Sequence, residues 1–347
     1  MAKKEDKVEA VELPIESLMK KFSKRGGFEE FIPSRQLTPT GCLALDLKLG
    51  GGWGRDRVKE IYGPSGSFKT SISWLDIANY QRYQKDGDKA NFFFVDLERS
   101  TLQNFARGFG VNTKNVWVEK PDTAEDAFNF ISNAVRSGRF RGGIIDSIDA
   151  MESEEDVNKN YGEASMMKLP KLLSEAMRDL SKASVDYDCF LTLINQIRVG
   201  KSQMITFETT SGGNAIPFYA SQRVRFAKKG PSKTNEECIS LEYNLKKNKL
   251  SALVEAIDMV DFYPGLGFDI VTDYLSVGLN LDFVKQSGPY YTVTIDGVEV
   301  AKLLGKEKFG NWLLEDDKRK DQFKDYAMSL YKPINKNGEG ESDGYET

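Results

Sequence analysis

The chain has no histidine, only three cysteines and no long hydrophobic run. Without histidine, serine–histidine and cysteine–histidine nucleophiles and histidine-ligated zinc are excluded. Cys42, Cys189 and Cys238 show no paired spacing, which argues against a disulfide frame or a zinc site and suits a reducing cytosol. No stretch approaches the ~20 apolar residues of a membrane span, and the amino terminus lacks a signal-peptide core. A cytoplasmic protein with no membrane partner is expected. A basic excess is missing too: 48 basic residues face 52 acidic ones, for a formal net charge of −4. Whole-chain charge therefore does not advertise nucleic acid and leaves a small-molecule enzyme open. There is no internal repeat, and 347 residues suffice to bury a full core with a smaller lobe beside it.

One further absence is local. The run Gly63-Pro64-Ser65-Gly66-Ser67-Phe68-Lys69-Thr70 follows the phosphate-loop pattern G-x-x-x-x-G-K-[ST] except that Phe68 stands where glycine is expected. Such a loop works by turning successive backbone N–H groups toward a phosphate at a helix start. Lys69 is placed to reach the β- and γ-phosphates, and the Thr70 hydroxyl to ligate Mg²⁺; Ser71 opens the following helix. Val58 to Tyr62 reads as a strand entering the loop, and Ser71 to Tyr83 carries apolar residues at helical spacing. A Gly/Ser turn preceding a chance lysine is the bland alternative.

The rest of the chain weighs against that alternative. Asn91 to Val95, Gly143 to Ile145 and Cys189 to Ile194 are apolar runs that end in Asp96 and Glu98, in Asp146 and in Gln196, as strands buried on both faces of a parallel sheet do. Helical patterns at Ala124 to Ser137 and Lys168 to Lys182 alternate with them. Ligands in such α/β folds sit beyond the carboxyl ends of the strands, which gathers Lys69, Glu98, Asp146 and Gln196 around one site. Phosphoryl transfer to water needs a neutralised γ-phosphate, a held Mg²⁺ and an oriented water. Asp146 suits the metal role, Glu98 the water-positioning role, and Gln196 a hydrogen bond to the γ-phosphate at the start of a loop.

From Ile197 to Gly213 the sequence shows no convincing helical or strand period, and a mobile loop is expected there. Arg198 and Lys201 offer cations for phosphates, and Met204, Ile205 and Phe207 offer apolar groups that wedge between or stack on bases, as single-strand binding requires. An active-site lid reads similarly. Arg223 and Arg225 share one face of a strand, for a DNA groove or a subunit contact.

Several motifs together carry a resemblance. Asn195-Gln196-Ile197-Arg198, then Glu208-Thr209-Thr210-Ser211-Gly212-Gly213-Asn214-Ala215 and Phe218-Tyr219-Ala220-Ser221, resemble the second DNA-binding loop of RecA-type recombinases. Thr38 to Asp46, Glu60 to Pro64, Pro121-Asp122-Thr123 and Lys247-Asn248-Lys249 match in family order, from about Glu16 to Trp312. Phe68, Arg99 beside Glu98 where cellular members carry histidine, and a second loop that looks one residue shorter resemble the T-even-type phage branch, which places the protein in a host cytoplasm.

The resemblance implies a RecA-like ATPase core with a mainly parallel sheet flanked by helices, an amino-terminal helix and a small α/β carboxyl-terminal lobe. It implies ATP and Mg²⁺ as cofactors, bound by Gly63 to Ser71 with Asp146, and Phe105 stacked on adenine; core packing is the bland role for that ring. Lys247 and Lys249 are implied to reach a neighbour's γ-phosphate; a solvated strand face is their bland role. Gly212, Gly213 and Arg223 join the implied DNA contacts. Implied partners are single-stranded DNA, homologous duplex DNA, further copies in a helical filament, and mediator and single-strand-binding proteins. A hexameric helicase motor and a non-hydrolysing DNA-binding paralogue are the rival readings. The expected division is a helical protomer-contact segment over 1–35, the core over 36–268, the lobe over 269–332 and an acidic disordered tail over 333–347, whose last eleven residues hold four acids and no base.

Overall fold

The computed structural model describes residues 37–331, except 88, 101–102, 159–167, 203–204, 234 and 252–255, and excludes the side chains of 168, 199–202 and 205–207. The expected amino-terminal helix and the acidic tail lie outside the described residues. Strands β1 (Leu37–Thr38) and β2 (Trp53–Gly54) pair antiparallel on either side of helix α1 (Leu43–Leu49). The core follows as β3 (Val58–Gly63), α2 (Lys69–Tyr83), β4 (Asn91–Asp96), α3 (Gln103–Gly108), β5 (Val116–Glu119), α4 (Ala124–Arg136) and β6 (Phe140–Asp146). It continues as α5 (Glu154–Val157), α6 (Lys168–Asp186), β7 (Phe190–Ser202), β8 (Ile205–Thr210), α7 (Ala215–Tyr219), β9 (Gln222–Pro231), β10 (Ile239–Asn248), β11 (Ala256–Tyr263) and β12 (Gly267–Phe268).

These strands form one sheet in the order β12-β11-β10-β9-β3-β7-β6-β4-β5, with β8 paired to β7 off that path. From β9 through β3, β7, β6 and β4 to β5 every neighbour pair is parallel; β10, β11 and β12 extend one side antiparallel. Phe92, Phe93, Phe94 and Val95 of β4 are fully buried. Phe92 and Phe94 enter one apolar cluster while Phe93 and Val95 enter another, so the strand is covered on both faces. Trp74 of α2 stacks on Phe94 with centroids 4.5 Å apart, and Phe93 meets Phe130 and Phe140 edge-on from the other side. Thr123 caps α4, its hydroxyl accepting from the Asp126 N–H at 3.1 Å, which gives the Pro121-Asp122-Thr123 motif a structural role.

Lys59 of β3 is fully buried, with its ammonium 2.6 Å from Asp76 of α2; that carboxylate also accepts from Thr192 of β7 at 2.7 Å. The Lys59 ammonium lies 4.2 Å from the Phe190 ring centroid, and burial lowers its pKa.

The carboxyl-terminal region holds α8 (Ile270–Asn280), the antiparallel sheet β13 (Val284–Ser287), β14 (Tyr290–Ile295) and β15 (Val298–Leu304), and helices α9 (Gly305–Leu314) and α10 (Asp317–Leu330). Its apolar cluster also takes Leu43 and Leu47 from α1. Asp273 of α8 accepts from the backbone N–H groups of Leu43 and Ala44 and so caps α1 from a distant part of the chain. Burial pushes Asp273 up to about 7 and the nearby Asp46 up to about 6 from an ordinary 3.8. Both folded values lie above the unfolded one, so the stabilising share of these groups is full below about pH 4 and is lost as pH rises through about 6 and about 7. In urea titrations Asp273→Asn is therefore expected to flatten the fall of stability between about pH 4 and pH 7 relative to the unmodified chain. An unchanged pH slope would refute the assignment.

Candidate active site and nucleic-acid interface

The loop begins where β3 ends. A Cβ on Gly63 would lie 2.0 Å from the Phe226 carbonyl oxygen and 2.8 Å from Ser67 Oγ, so close packing against β9 requires glycine there. Pro64, Ser65 and Gly66 are exposed, whereas Ser67 is buried and donates from Oγ to the Pro64 carbonyl at 2.8 Å. Phe68 stands at the N-cap of α2 with φ 60° and ψ 26°, the left-handed conformation that glycine would adopt without strain. Its ring packs 5.2 Å from that of the fully buried Phe262 in β11 and joins the first apolar cluster. The loop thus has a glycine-like backbone at a residue whose side chain is anchored in the core. The N-cap residue Phe68 makes no side-chain hydrogen bond to the amino end of α2, whose first-turn N–H groups suit an anion.

Lys69 Nζ donates to the carbonyls of Gly63 at 3.1 Å and Pro64 at 2.9 Å. Burial lowers its pKa, against the opposing charges of Asp146, Glu98 and Asp149. Thr70 Oγ1 donates to Asp146 Oδ2 at 2.7 Å. Asp146 is buried and pushed up to about 6 by that burial; the Thr70 hydrogen bond opposes the shift, and the charges of Glu98 and Asp96 add to it. Ser71 is buried behind Thr70, and the peptide joining Asp146 to Ser147 is cis.

Strand register sets the level of every other group. Gly63 lies opposite Gln196, and Asp96 lies opposite Asp146. The Glu98 N–H donates to the Asp146 carbonyl at 3.3 Å, and the Glu98 side chain is exposed. Lys69, Thr70, Glu98, Asp146 and Gln196 therefore share one edge of the sheet. Phe105 on α3 is 42% exposed and touches Phe109 edge-on at 5.2 Å, a solvent-facing ring rather than a core one. Lys247 Nζ donates to the carbonyls of Pro217 at 2.6 Å and Phe218 at 2.8 Å, and burial, with Lys249 and Arg223 nearby, pushes it down to about 8. Lys249 is exposed just beyond β10.

Beyond Gln196 the structure corrects the sequence reading. The segment expected to be a loop without strand character is a hairpin: β7 runs on to Ser202 and pairs antiparallel with β8, Ile197 opposite Thr210 and Ser202 opposite Ile205. The second leg, Ile205–Thr210, is rich in β-branched residues, and a ribbon outside the core needs no alternation of apolar and polar faces. Lys201, Ile205 and Phe207 have their backbones in these strands; their side chains, and all of Met204, lie outside the described residues. Gly212 and Gly213 follow with φ of 88° and 65°, turning the chain into α7. The Arg223 guanidinium pairs with the fully buried Glu60 and lies 4.9 Å from the Tyr62 ring centroid, so in this structure the residue is engaged in an ion pair. Arg225 is likewise engaged, with both Glu208 oxygens at 2.9 Å.

Residues not singled out by sequence complete the site. Asn195 donates to Glu60 at 3.0 Å and to the Ser211 carbonyl at 2.9 Å, and its own oxygen accepts from the Gln196 N–H at 2.9 Å. Asp149 accepts from Arg198 and Ser211. No local pattern marks Asp149, because its partners stand 49 and 62 residues further along.

Residues 10–268 match the family model described as the RecA N-terminal domain. The chain belongs to the RecA family. Among curated relatives, the protein named Protein RecA of Geobacter sulfurreducens is 34% identical over 316 residues, covering 88% of this chain and 92% of that one. The Protein RecA of Delftia acidovorans is 34% identical over 294 residues, 82% and 78% of the two chains. That of Francisella tularensis subsp. novicida is 31% identical over 335 residues, 94% and 90%. Against this RecA frame, the left-handed Phe68 yields a direct test. Phe68→Ala and Phe68→Gly both lose the contact with Phe262, but only alanine keeps the left-handed strain. Alanine should therefore be less stable than glycine by about 1 kcal/mol in urea unfolding. Equal midpoints would show that the backbone is not strained at this position.

Proposed function

We propose that this RecA-family chain is an ATP-dependent homologous-recombination protein that polymerises on single-stranded DNA, pairs it with homologous duplex and exchanges strands, with DNA-stimulated ATP hydrolysis. One observation carries the reading: strand β7 holds Gln196 opposite Gly63 of the phosphate loop and continues directly into the hairpin that bears Arg198. A change felt at Gln196 is thus two residues from a candidate DNA contact. The relatives named Protein RecA span most of this chain, which supports the same activity.

The residues fit a nucleoside triphosphate with Mg²⁺. The amino end of α2 and the close-packed Gly63 form an anion cradle, and Thr70 and Asp146 already bring two oxygens together at 2.7 Å. Gly63 to Ser71 would hold the phosphates, Thr70 and Asp146 the metal, and Phe105 would stack on the base. Bound Mg²⁺ would supply charge neutralisation at the phosphates. Lys69 leaves the loop carbonyls to add its positive charge at the β- and γ-phosphates. Glu98, exposed at the strand end, orients a water, and Gln196 reports phosphate occupancy to the hairpin. Lys247 and Lys249 serve the site of a neighbouring protomer in a helical filament, so assembly is a condition of hydrolysis.

Phe68, Arg99 beside Glu98 where cellular members carry histidine, and a second loop that looks one residue shorter support assignment to the T-even-type phage branch, acting in a host cytoplasm with mediator and single-strand-binding partners. Among the described residues no helix is long and apolar enough to cross a membrane. The division at 1–35, 36–268, 269–332 and 333–347 is proposed on the same basis. Anchoring of the Phe68 ring on Phe262 removes the main support for a non-hydrolysing paralogue, namely a bulky side chain distorting the loop.

ATP turnover measured without DNA, with single strands and with duplex tests the reading. Single strands should stimulate turnover, and Lys69→Ala should reduce it by about 10²-fold or more. Gln196→Ala should still bind nucleotide yet lose DNA stimulation. Turnover indifferent to DNA in the unmodified chain would overturn the proposal, and stimulation retained in Gln196→Ala would overturn the coupling role.

A further inference from the structure

Asp149 lies in the 3₁₀ turn Ile148–Ala150, three residues beyond Asp146. Its Oδ1 accepts from Arg198 Nε at 2.9 Å, from Arg198 Nη2 at 2.6 Å and from Ser211 Oγ. Arg198 Nε also lies 2.8 Å from Ser211 Oγ. Arg198 and Ser211 flank the base of the hairpin on opposite legs, since Ile197 faces Thr210. Asn195 holds the second leg in place through the Ser211 carbonyl and is itself fixed on buried Glu60. Arg198 is 64% exposed at its side chain against 19% for Asp149, so the guanidinium is presented outward from a more buried carboxylate. The Asp149 charge also acts on Lys69.

A guanidinium fork and a hydroxyl converging on one anionic oxygen are the donor set that recognises a phosphodiester oxygen. We propose that Arg198 and Ser211 form a clamp for the single-stranded DNA backbone, and that the Asp149 carboxylate occupies the phosphate's place until DNA displaces it. Asp149 is then an internal competitor: it keeps the clamp assembled and lowers its affinity for DNA. Once DNA takes Arg198, the Asp149 charge is relieved of its partner close to Lys69, which ties occupancy of the clamp to the field at the phosphate loop. The clamp deepens, and rests on, the reading of the hairpin as DNA-binding. A purely structural ion pair makes the opposite prediction, because losing one leaves a less ordered hairpin and weaker binding.

The test is fluorescence anisotropy of a labelled oligothymidylate titrated with the full chain in the presence of Mg²⁺ and a non-hydrolysable ATP analogue, for the unmodified protein, Asp149→Asn, Arg198→Ala, Ser211→Ala and the Asp149→Asn/Arg198→Ala double variant. Asp149→Asn should tighten binding roughly fivefold, the size of one exposed ion pair. Arg198→Ala and Ser211→Ala should weaken it, and in the Arg198→Ala background Asp149→Asn should have no effect. Asp149→Ser serves in the same role if Asp149→Asn fails to fold, with thermal melts as the check. Binding by the unmodified chain that is unchanged or weaker in Asp149→Asn overturns the clamp alone, and so does binding insensitive to Arg198→Ala. Tightening that persists in the double variant also overturns it, as an unspecific effect of charge. If the unmodified chain and every variant fail to bind, the DNA-binding reading of the hairpin falls and the clamp falls with it.

Discussion

Parallel register is the constraint on which the rest of this molecule depends. With Gly63 level with Gln196 and Asp96 level with Asp146, four strands deliver the loop at Gly63 to Thr70, the carboxylates of Asp146 and Glu98 and the root of the hairpin to one edge. A slip of one residue would turn every side chain of a strand to the wrong face. The buried ion pair opposes such a slip. Lys59 faces Thr192 in the ladder, and both meet Asp76 in the helix that follows the phosphate loop, so β3, β7 and α2 share one buried polar contact. Separating β3 from α2 would leave a buried charge unpaired, at a cost of about 3–5 kcal/mol, and displacing β7 would remove the Thr192 hydrogen bond to Asp76. The pair is better understood as a device for alignment than as a source of net stability.

The two halves of the site use different physics. On the phosphate side, packing dictates backbone: Gly63 has no room for a side chain, and Phe68 has its ring committed to Phe262 while its backbone takes a shape usually reserved for glycine. On the hairpin side, charges pair one another in relay. Glu60 holds Arg223 and Asn195, Asn195 holds Ser211, and Ser211 shares Asp149 with Arg198. The first arrangement is rigid because it is dense, and the second is exchangeable because several of its members face water.

What sequence disclosed follows the same division. The strand at Asn91–Asp96 was legible because burial on both faces leaves a continuous apolar run, and Lys69, Thr70 and Asp146 were legible because their spacing is local or tied to a strand end. The hairpin was not, since a two-stranded ribbon outside the core carries no burial period to read. Arg223 resembled a free surface cation because nothing in its neighbourhood of the sequence reveals Glu60 on the adjacent strand. Asp149 escaped for a related reason: an acid in a short turn looks solvated until the fold brings Arg198 to it. Pairings across long sequence separations are written only in three dimensions.

The cap on α1 bears on how the chain comes to be folded. Helix α1 is made early, yet its amino-terminal N–H groups are satisfied by Asp273, some 230 residues later, and Leu43 and Leu47 belong to the carboxyl-terminal cluster. At ribosomal speeds of about 5–20 residues per second, that partner arrives roughly 10–50 s after the helix itself has been synthesised. During this interval the phosphate loop and the central strands can assemble while α1 waits with its apolar face unburied. Completion of α1 is thereby deferred until Asp273 has been made, and a nascent chain halted before Asp273 would expose Leu43 and Leu47 as a sticky surface for chaperones.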